Sequence, residues 1–304
     1  MNPPQTAAEG RPGTWTTGQP DPGVFLGRET ETARLRAALE GGTGLAIWGP
    51  ADSGKTALVR HTLAQLPRDS ARSCIHLPLA GPPHAVLCRL LEEMHARGDG
   101  FLAGKFHVDG GRGEEFSHWA ARQTSLRLRG LLYRAAEAGR YQLILDGAAG
   151  LSDAFTRIVK ELASMRETPV HLVSHTCTEE DLGRGARLYW NEDLRLGLGA
   201  LPVPSARALV EHCIRRFGLS RLQLEGFREG MLRLSGRLPG AIVKMCARAG
   251  DAQYHFGGRV ETRLLHVDYM MQFSYRPRRA AASQAAYPAA APASAARGRT
   301  SGRK

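Results

Sequence analysis

Eight consecutive residues near position 50 have the types and the spacing that a polyphosphate requires. The stretch Gly49-Pro50-Ala51-Asp52-Ser53-Gly54-Lys55-Thr56 fits the pattern G-x-x-x-x-G-K-[ST] at every fixed position. Backbone N–H groups at a helix N-terminus bind phosphate oxygens, a lysine reaches the outer phosphates, and a hydroxyl ligates Mg²⁺. Gly49 and Gly54 permit the tight wrap, Lys55 supplies the cation, and Thr56 supplies the hydroxyl. The chain is therefore predicted to bind a nucleotide together with Mg²⁺.

The residues on either side place this stretch between a strand and a helix. Residues 45–48 are apolar and indicate a buried strand, and residues 56–63 carry apolar residues at helical spacing. The order strand, loop and helix is the one that phosphate binding needs. Asp52 departs from favourable chemistry, because a carboxylate in a phosphate cradle repels its ligand unless the side chain points outward. A position in the middle of the loop allows that orientation.

A second candidate group for the metal follows an apolar stretch further along the chain. Residues 141–145 read Tyr-Gln-Leu-Ile-Leu and are followed by Asp146. In a parallel sheet, such a strand aims its terminal carboxylate at the Mg²⁺ beside the phosphate loop. Thr56 and Asp146 are therefore the two predicted metal-binding residues.

Net charge is concentrated near the C-terminus. The chain has 304 residues, enough for one large or two modest domains, and a formal net charge of +12. Seven Arg and Lys residues from Arg276 onward, with no acidic residue among them, supply +7 of this charge. A basic tail suits nucleic acid or another acidic surface, and it equally suits a solvated end that aids solubility.

The rest of the composition argues against several other classes of protein. The five cysteines are odd in number and are never spaced as C-x-x-C, which indicates small buried residues in a reducing compartment. The sequence shows no signal-peptide pattern, and no apolar run approaches the roughly 20 residues that span a bilayer. A cytoplasmic protein without membrane contact is expected.

Four segments are expected along the chain. They are a disordered N-terminal arm at 1–22, a phosphate-binding core at 23–200, a small helical domain at 201–272 and a basic disordered tail at 273–304. In the helical domain, three amphipathic helices end at glycines, which is typical of a compact helical unit.

Two stretches of the core lead to expectations about local structure. Residues 98–113 contain six glycines and are expected to form an exposed loop. Residues 116–138 are expected to form one amphipathic helix with Leu126 on its apolar face. The arginines of this helix favour a solvated basic face over a dedicated nucleic-acid surface; they are Arg122, Arg127, Arg129 and Arg134.

Three features together resemble the AAA+ and signal-transduction (STAND) ATPases. They are the phosphate loop, the apolar strand that ends in Asp146, and the turn Ser235-Gly236-Arg237-Leu238-Pro239-Gly240-Ala241-Ile242, which is similar to the Ser-Gly-x-x-Pro-Gly-x-Ile turn of their C-terminal lids. The stretch Phe25-Leu26-Gly27-Arg28-Glu29 also resembles the segment that covers the adenine in that class. The likeness spans about residues 24–271 and points to prokaryotic modules of the type found in origin-recognition and transposition-helper proteins.

The resemblance implies a fold, two cofactors and a set of site residues. The fold is an α/β P-loop NTPase with a five-stranded parallel sheet, helices on both faces and a small helical lid, and the strand near 170–174 lies between the two strands described above. The cofactors are ATP and Mg²⁺. Residues 49–56, Arg28 and Pro239 would bind the nucleotide. Asp146 would act in catalysis, together with Ser174 as a sensor of the terminal phosphate and Arg184 as an arginine that reaches a neighbouring subunit.

Two positions depart from the pattern of the family. In hydrolysing members an acidic residue usually follows the strand aspartate and polarises the attacking water, whereas this chain has Gly147. Pro239 stands where several AAA+ branches place a phosphate-sensing arginine, and Arg237 is the nearest substitute. Loss of general-base assistance costs about 10² to 10⁴ in rate, so slow or impaired hydrolysis is expected.

Two functions remain open from the sequence. The first is an ATP-dependent switch that acts on a partner macromolecule, which is expected to be a protein. Such a switch is also expected to form homo-oligomers in a nucleotide-dependent way. The alternative is a DNA-associated ATPase, a transposition or replication helper that uses the basic tail. Strong salt dependence of DNA binding, reduced by deletion of residues 276–304, would favour the second.

Overall fold

The computed structural model describes residues 25–109, 114–149, 151–165 and 167–273. The expected N-terminal arm, residues 1–22, lies outside the described residues, as does the expected basic tail apart from residue 273. Within the described ranges, no helix has both the length and the apolar character needed to cross a bilayer.

Five strands of the described chain form a parallel sheet. They are β1 (Ala46–Trp48), β2 (Cys74–Pro78), β3 (Gln142–Asp146), β4 (Val170–Ser174) and β5 (Arg195–Gly197). Their order across the sheet is β2-β3-β4-β1-β5, and every neighbouring pair is parallel. The expected position of β4 between β1 and β3 is confirmed. The carboxyl ends of these three strands therefore meet at one edge of the sheet, where α/β proteins bind their ligands.

Apolar side chains project from both faces of the sheet. In β3, Leu143 and Leu145 belong to the larger apolar cluster, whereas Ile144 between them belongs to a second cluster. Successive strand residues point to opposite faces, so both faces need cover. The helices of this part of the chain are α1 (Glu29–Glu40), α2 (Lys55–Gln65), α3 (Arg68–Ser73), α4 (Pro83–Ala96), α5 (Gly100–Val108), α6 (Phe116–Ala121), α7 (Ser125–Gly139), α8 (Asp153–Ala163) and α9 (Glu179–Leu182). The predicted fold class is confirmed.

The loop expected over residues 98–113 is wrong in part, because residues 100–108 form α5. Asp99 caps this helix: its Oδ1 accepts the backbone N–H of Leu102 at 2.9 Å, and its Oδ2 accepts the hydroxyl of Tyr141 at 3.1 Å. Leu102 is fully buried. A carboxylate cap and one buried leucine outweigh the unfavourable helix propensity of the glycines.

The single helix expected over residues 116–138 is also wrong, because the chain breaks between α6 and α7. Thr124 has an extended backbone, and its Oγ1 accepts the N–H of Arg127 at 3.3 Å, which caps α7. Leu126 in the first turn of α7 is 73% exposed, and Leu128 is buried instead. A threonine cap inside an apolar periodic stretch therefore marks a new helix start.

Residues 201–273, called the C-terminal helical region below, enclose an apolar cluster of their own. The elements are α10 (Val203–Arg216), α11 (Phe227–Leu234), α12 (Pro239–Arg248), the hairpin of β6 (His255–Phe256) and β7 (Arg259–Val260), and α13 (Thr262–Phe273). The three expected helices are confirmed, whereas the hairpin and α13 are additions. Gly257 and Gly258 form the hairpin turn with φ of 57° and 81°, a Gly-Gly signal that the sequence carries.

Candidate nucleotide-binding site

Residues 49–54 form the loop between β1 and α2, and Lys55 and Thr56 are the first residues of α2. Gly49 is buried, and a Cβ there would collide with the carbonyl oxygen of Leu198, so only glycine fits this close approach. Helix α2 begins at Lys55. The N-terminus of α2 therefore faces the loop, which is the arrangement that binds anionic oxygens.

Lys55 is held across the mouth of this loop. Its Nζ donates to the carbonyl oxygens of Gly49 and Pro50, each at 2.8 Å. Burial lowers the pKa of Lys55, and the carboxylates of Asp146, Asp52 and Asp181 oppose that effect. Three carboxylates thus favour the charged form of the ammonium group at the start of α2.

Thr56 and Asp146 are in direct contact. The hydroxyl of Thr56 donates to Oδ2 of Asp146 at 2.7 Å, and Nε2 of His76 lies 3.2 Å from the same oxygen. Burial acts to raise the pKa of Asp146, but the hydrogen bonds from His76 and Thr56 outweigh it and hold the pKa below its usual value. A hydroxyl and an ionised carboxylate are the oxygen ligands that Mg²⁺ prefers, so the donor set fits that ion.

His76 is a site residue that the sequence did not single out. It lies in β2, the strand next to β3. The other residues of this strand, Cys74, Ile75, Leu77 and Pro78, are apolar. A polar side chain in an otherwise apolar buried strand was the available signal. Its contact with Asp146 depends on the pairing of two strands far apart in sequence.

Ser174 lies at the end of β4 and is 3% exposed. Its Oγ contacts the carboxylate of Asp181 and the carbonyl oxygen of Thr176, and the N–H of Thr176 donates to the same Asp181 oxygen at 2.7 Å. The carbonyl oxygen of His175 accepts the N–H of Gly49 at 3.3 Å. The end of β4 therefore touches the phosphate loop, with Asp181 of α9 as an acidic neighbour that the sequence did not reveal.

The two candidate arginines of the core lie in different surroundings. Arg184 is exposed on the 3-10 helix after α9, and its side chain makes no hydrogen bond to the described part of the chain. Arg28 is 6% exposed and pairs with Glu31 at 2.8 Å. Its guanidinium also contacts the carbonyl oxygens of Ser53, at 3.4 Å, and Gly199. Arg28 thus ties the loop backbone to the segment before α1, whereas Arg184 faces solvent.

The C-terminal helical region lies directly against the phosphate loop. Pro239 begins α12, and its Cγ is 3.2 Å from the position of a Cβ on Gly54. Asp52 has a left-handed backbone, with φ of 63°, and its carboxylate points away from the cradle toward α12 and α13. The outward orientation allowed for Asp52 is therefore the one observed.

Residues 24–174 match the protein family described as the AAA ATPase domain. The chain therefore carries a P-loop ATPase module of the AAA type. The match spans β1 to β4, the phosphate loop and Asp146. This family match shows that the chain contains a nucleotide-binding ATPase domain.

One solved structure shares the fold of this ATPase module, and two others are similar to it at lower TM-scores. The Orc1 protein of Aeropyrum pernix, solved in complex with DNA, matches with a TM-score of 0.57 and 18% identity over 85% of this chain and 70% of that chain. A Walker-type ATPase of Pyrococcus abyssi matches with a TM-score of 0.49 and 15% identity over 82% of this chain and 73% of that chain. A STAND protein of Pyrococcus horikoshii with a tetratricopeptide repeat sensor matches with a TM-score of 0.45 and 17% identity over 71% of this chain and 29% of that chain. A search of curated proteins gave no match.

Proposed function

We propose that this chain is a nucleotide-dependent switch that binds Mg·ATP, hydrolyses it slowly and acts on a protein partner. The observation that carries this proposal is the 2.7 Å hydrogen bond between Thr56 and Asp146 at the start of α2. Residues that sequence reasoning assigned to one magnesium site, from two distant parts of the chain, meet beside Lys55. Such convergence of a cation, a hydroxyl and a carboxylate at a helix N-terminus supports triphosphate binding.

The roles of the residues follow from their positions. Lys55 would pair with the outer phosphates in place of its two carbonyl partners, and the N–H groups at the start of α2 would bind phosphate oxygens. Thr56 and Asp146 would hold Mg²⁺, which when bound neutralises phosphate charge. Ser174 and Pro239 would face the nucleotide from β4 and α12. Arg28 would fix the segment that covers the base.

Slow hydrolysis is supported by the residues around Asp146. Gly147 supplies no side chain, and its N–H and that of Ala148 donate to the carbonyl oxygen of Val173 at 3.0 and 2.8 Å. The nearby carboxylate of Asp181 is engaged by Ser174 and Thr176. With no carboxylate at position 147 to orient water, turnover should lie well below the roughly 1 to 100 s⁻¹ typical of phosphoryl transfer by kinases.

A switch also needs a part that responds to the nucleotide. The C-terminal helical region contacts the loop through Pro239, Gly240, Lys244 and Tyr269. A ligand that alters the loop would therefore alter the balance between arrangements of this region. In this proposal the surface so exposed or covered binds the partner, and Arg184 on the exposed 3-10 helix would reach a neighbouring copy when copies assemble.

The described residues favour the switch over a DNA-gripping role. Three of the four arginines named for this stretch pair with acidic neighbours. They are Arg122, just after α6, with Glu114 at 2.7 Å, and in α7 Arg127 with Asp109 and Arg129 with Glu161 at 4.0 Å. Charges paired in this way attract phosphates less than unpaired ones do. Titration with duplex DNA at several salt concentrations, with and without residues 276–304, tests the alternative; strong, salt-dependent binding that the deletion weakens would favour it.

Nucleotide binding is tested by thermal melting. With a micromolar Kd, millimolar Mg·ATP should stabilise the wild type by about 4 kcal/mol and raise Tm by several degrees. Lys55→Ala should lose this shift, and Asp146→Asn should lose the part of it that EDTA removes. Lys160→Met at the far end of α8 is the matched control and should keep the wild-type shift. Absence of any shift in the wild type would refute the proposal.

A further inference from the structure

Resting on the proposed ATP site, we infer that Lys244 and Tyr269 are positioning residues that hold the carboxylate of Asp52 out of the phosphate cradle and neutralise it, so that the loop can accept a polyphosphate. Asp52 places a negative charge in a loop that is proposed to bind phosphates, and like charges repel. Its carboxylate therefore needs partners outside the loop that turn it away and neutralise it.

The contacts that hold Asp52 come from two helices of the C-terminal helical region. Nζ of Lys244 in α12 lies 2.8 Å from Oδ1 and 3.1 Å from Oδ2 of Asp52. The hydroxyl of Tyr269 in α13 donates to Oδ2 at 2.5 Å. The side chains of Lys244 and Asp52 are only 16% and 15% exposed. An ion pair so enclosed is screened far less than one on the surface.

The backbone of Asp52 is fixed by the same region. Its φ of 63° is left-handed, a conformation that residues other than glycine rarely adopt. The carbonyl oxygen of Asp52 accepts the N–H of Gly240 at 2.9 Å. Gly240 is necessary for this approach, because a Cβ there would lie 2.8 Å from Cβ of Asp52. Unusual backbone geometry in a binding loop persists only where the surroundings determine it, as they do here.

The charge of Asp52 reaches the cation of the loop. Asp52 lies in the same phosphate loop, three positions before Lys55. Burial and the hydrogen bond to Asp52 raise the pKa of Tyr269, which keeps its hydroxyl a donor. A carboxylate close enough to act on Lys55 also acts on phosphates bound by Lys55, and with the opposite sign. Lys244 offsets that repulsion.

A double-mutant cycle tests this inference, with the Kd for Mg·ATP as the measurement. Lys244→Met should weaken binding by about tenfold, the size of a typical coupling between sites. Asp52→Asn, an amide that tolerates the left-handed backbone, should bind at least as tightly as the wild type. The double variant Asp52→Asn/Lys244→Met should bind like Asp52→Asn alone. This rescue separates removal of a repulsive charge from mere loss of a structural contact.

Two further variants keep the test decisive. Tyr269→Phe keeps the ring and removes only the hydroxyl, so it should weaken binding by roughly threefold even if Lys244→Met fails to fold. Lys160→Met removes the same net charge far from the loop and should bind like the wild type; equal weakening in this variant would overturn the inference.

The remaining outcomes separate the two proposals. A wild-type chain that binds Mg·ATP while Lys244→Met binds equally well would overturn this inference alone. Weakening by Lys244→Met that persists undiminished in the Asp52→Asn background would also overturn it, because Lys244 would then act on the nucleotide or on the fold by itself. A wild-type chain that does not bind Mg·ATP would refute the proposed function, and the inference with it.

Discussion

His171 shows how one buried side chain makes stability depend on pH. It is fully buried in β4, and its Nδ1 accepts the N–H of Leu45 at 3.3 Å. Burial lowers its pKa to about 4. The unfolded chain binds a proton near pH 6.5 whereas the folded chain stays neutral. The stability that follows from this difference is therefore complete above that pH and is lost as the pH falls toward 4.

Replacement of His171 by Asn should flatten this dependence, because Asn can accept the same N–H without titrating. Between about pH 7 and about pH 5, the free energy of unfolding of the wild type should fall by about 2 kcal/mol more than that of His171→Asn. Urea denaturation of both proteins at the two pH values measures the difference. Equal slopes would show that the imidazole titrates normally in the folded state.

Among individual residues, the sequence predicted those whose roles depend on a local pattern. The loop at 49–56 and Asp146 at a strand end could be predicted because spacing and strand polarity define them. His76, Asp181 and Lys244 could not, because each meets the site through a contact between distant parts of the chain. A single sequence does not show which helix or strand will face another, so the partners of Asp146 and Asp52 became visible only with the structure.

Helix α5 depends on its cap more than on its own residues. Asp99 is 6% exposed and serves both the N–H of Leu102 and the hydroxyl of Tyr141. Asp99→Ala should lower the free energy of unfolding by about 2 to 4 kcal/mol, because a cap is lost and a buried hydroxyl loses its partner.

Asp109 at the other end of α5 offers a matched control. Asp109 is an exposed residue whose side chain, itself 25% exposed, pairs with the half-exposed Arg127, so Asp109→Ala should cost less than about 1 kcal/mol. Urea denaturation of the two variants compares them directly. Similar losses would mean that the cap does not determine the helix.

Elements with strong periodicity were predicted well, and those fixed by single contacts were not. The continuous apolar run of β3 and the amphipathic patterns of α10, α11 and α12 made their assignment straightforward. Helix α5, with glycines at 100 and 104, and the break before α7 were missed, because one capping side chain decides each. A cap is a polar residue among many, and only its hydrogen bond distinguishes it.

For the whole molecule, the close approach of α12 to the loop should make Gly240 sensitive to substitution. In Gly240→Ala the new Cβ would lie 2.8 Å from Cβ of Asp52, so the C-terminal helical region must shift away. Overpacking of this kind costs about 1 to 3 kcal/mol. Thermal melting with and without Mg·ATP should show a lower Tm and a smaller nucleotide shift.

Gly130→Ala provides the comparison. This glycine lies inside α7, and a Cβ added to it would meet no other atom of the described chain within 4 Å. Alanine there should favour the helix by about 1 kcal/mol, so Tm should not fall. If Gly240→Ala melted and bound like Gly130→Ala, the contact between α12 and the loop would be looser than the structure indicates.

The seam between the phosphate loop and the C-terminal helical region has a consequence for dissection of the protein. The family match ends at residue 174, whereas partners of Asp52 reach to Tyr269. An excised fragment with those limits would keep every signature residue of the motif. It would also lack β5 and the groups that compensate its aspartate. The family match therefore ends before Lys244 and Tyr269, the residues that neutralise Asp52 of its own phosphate loop.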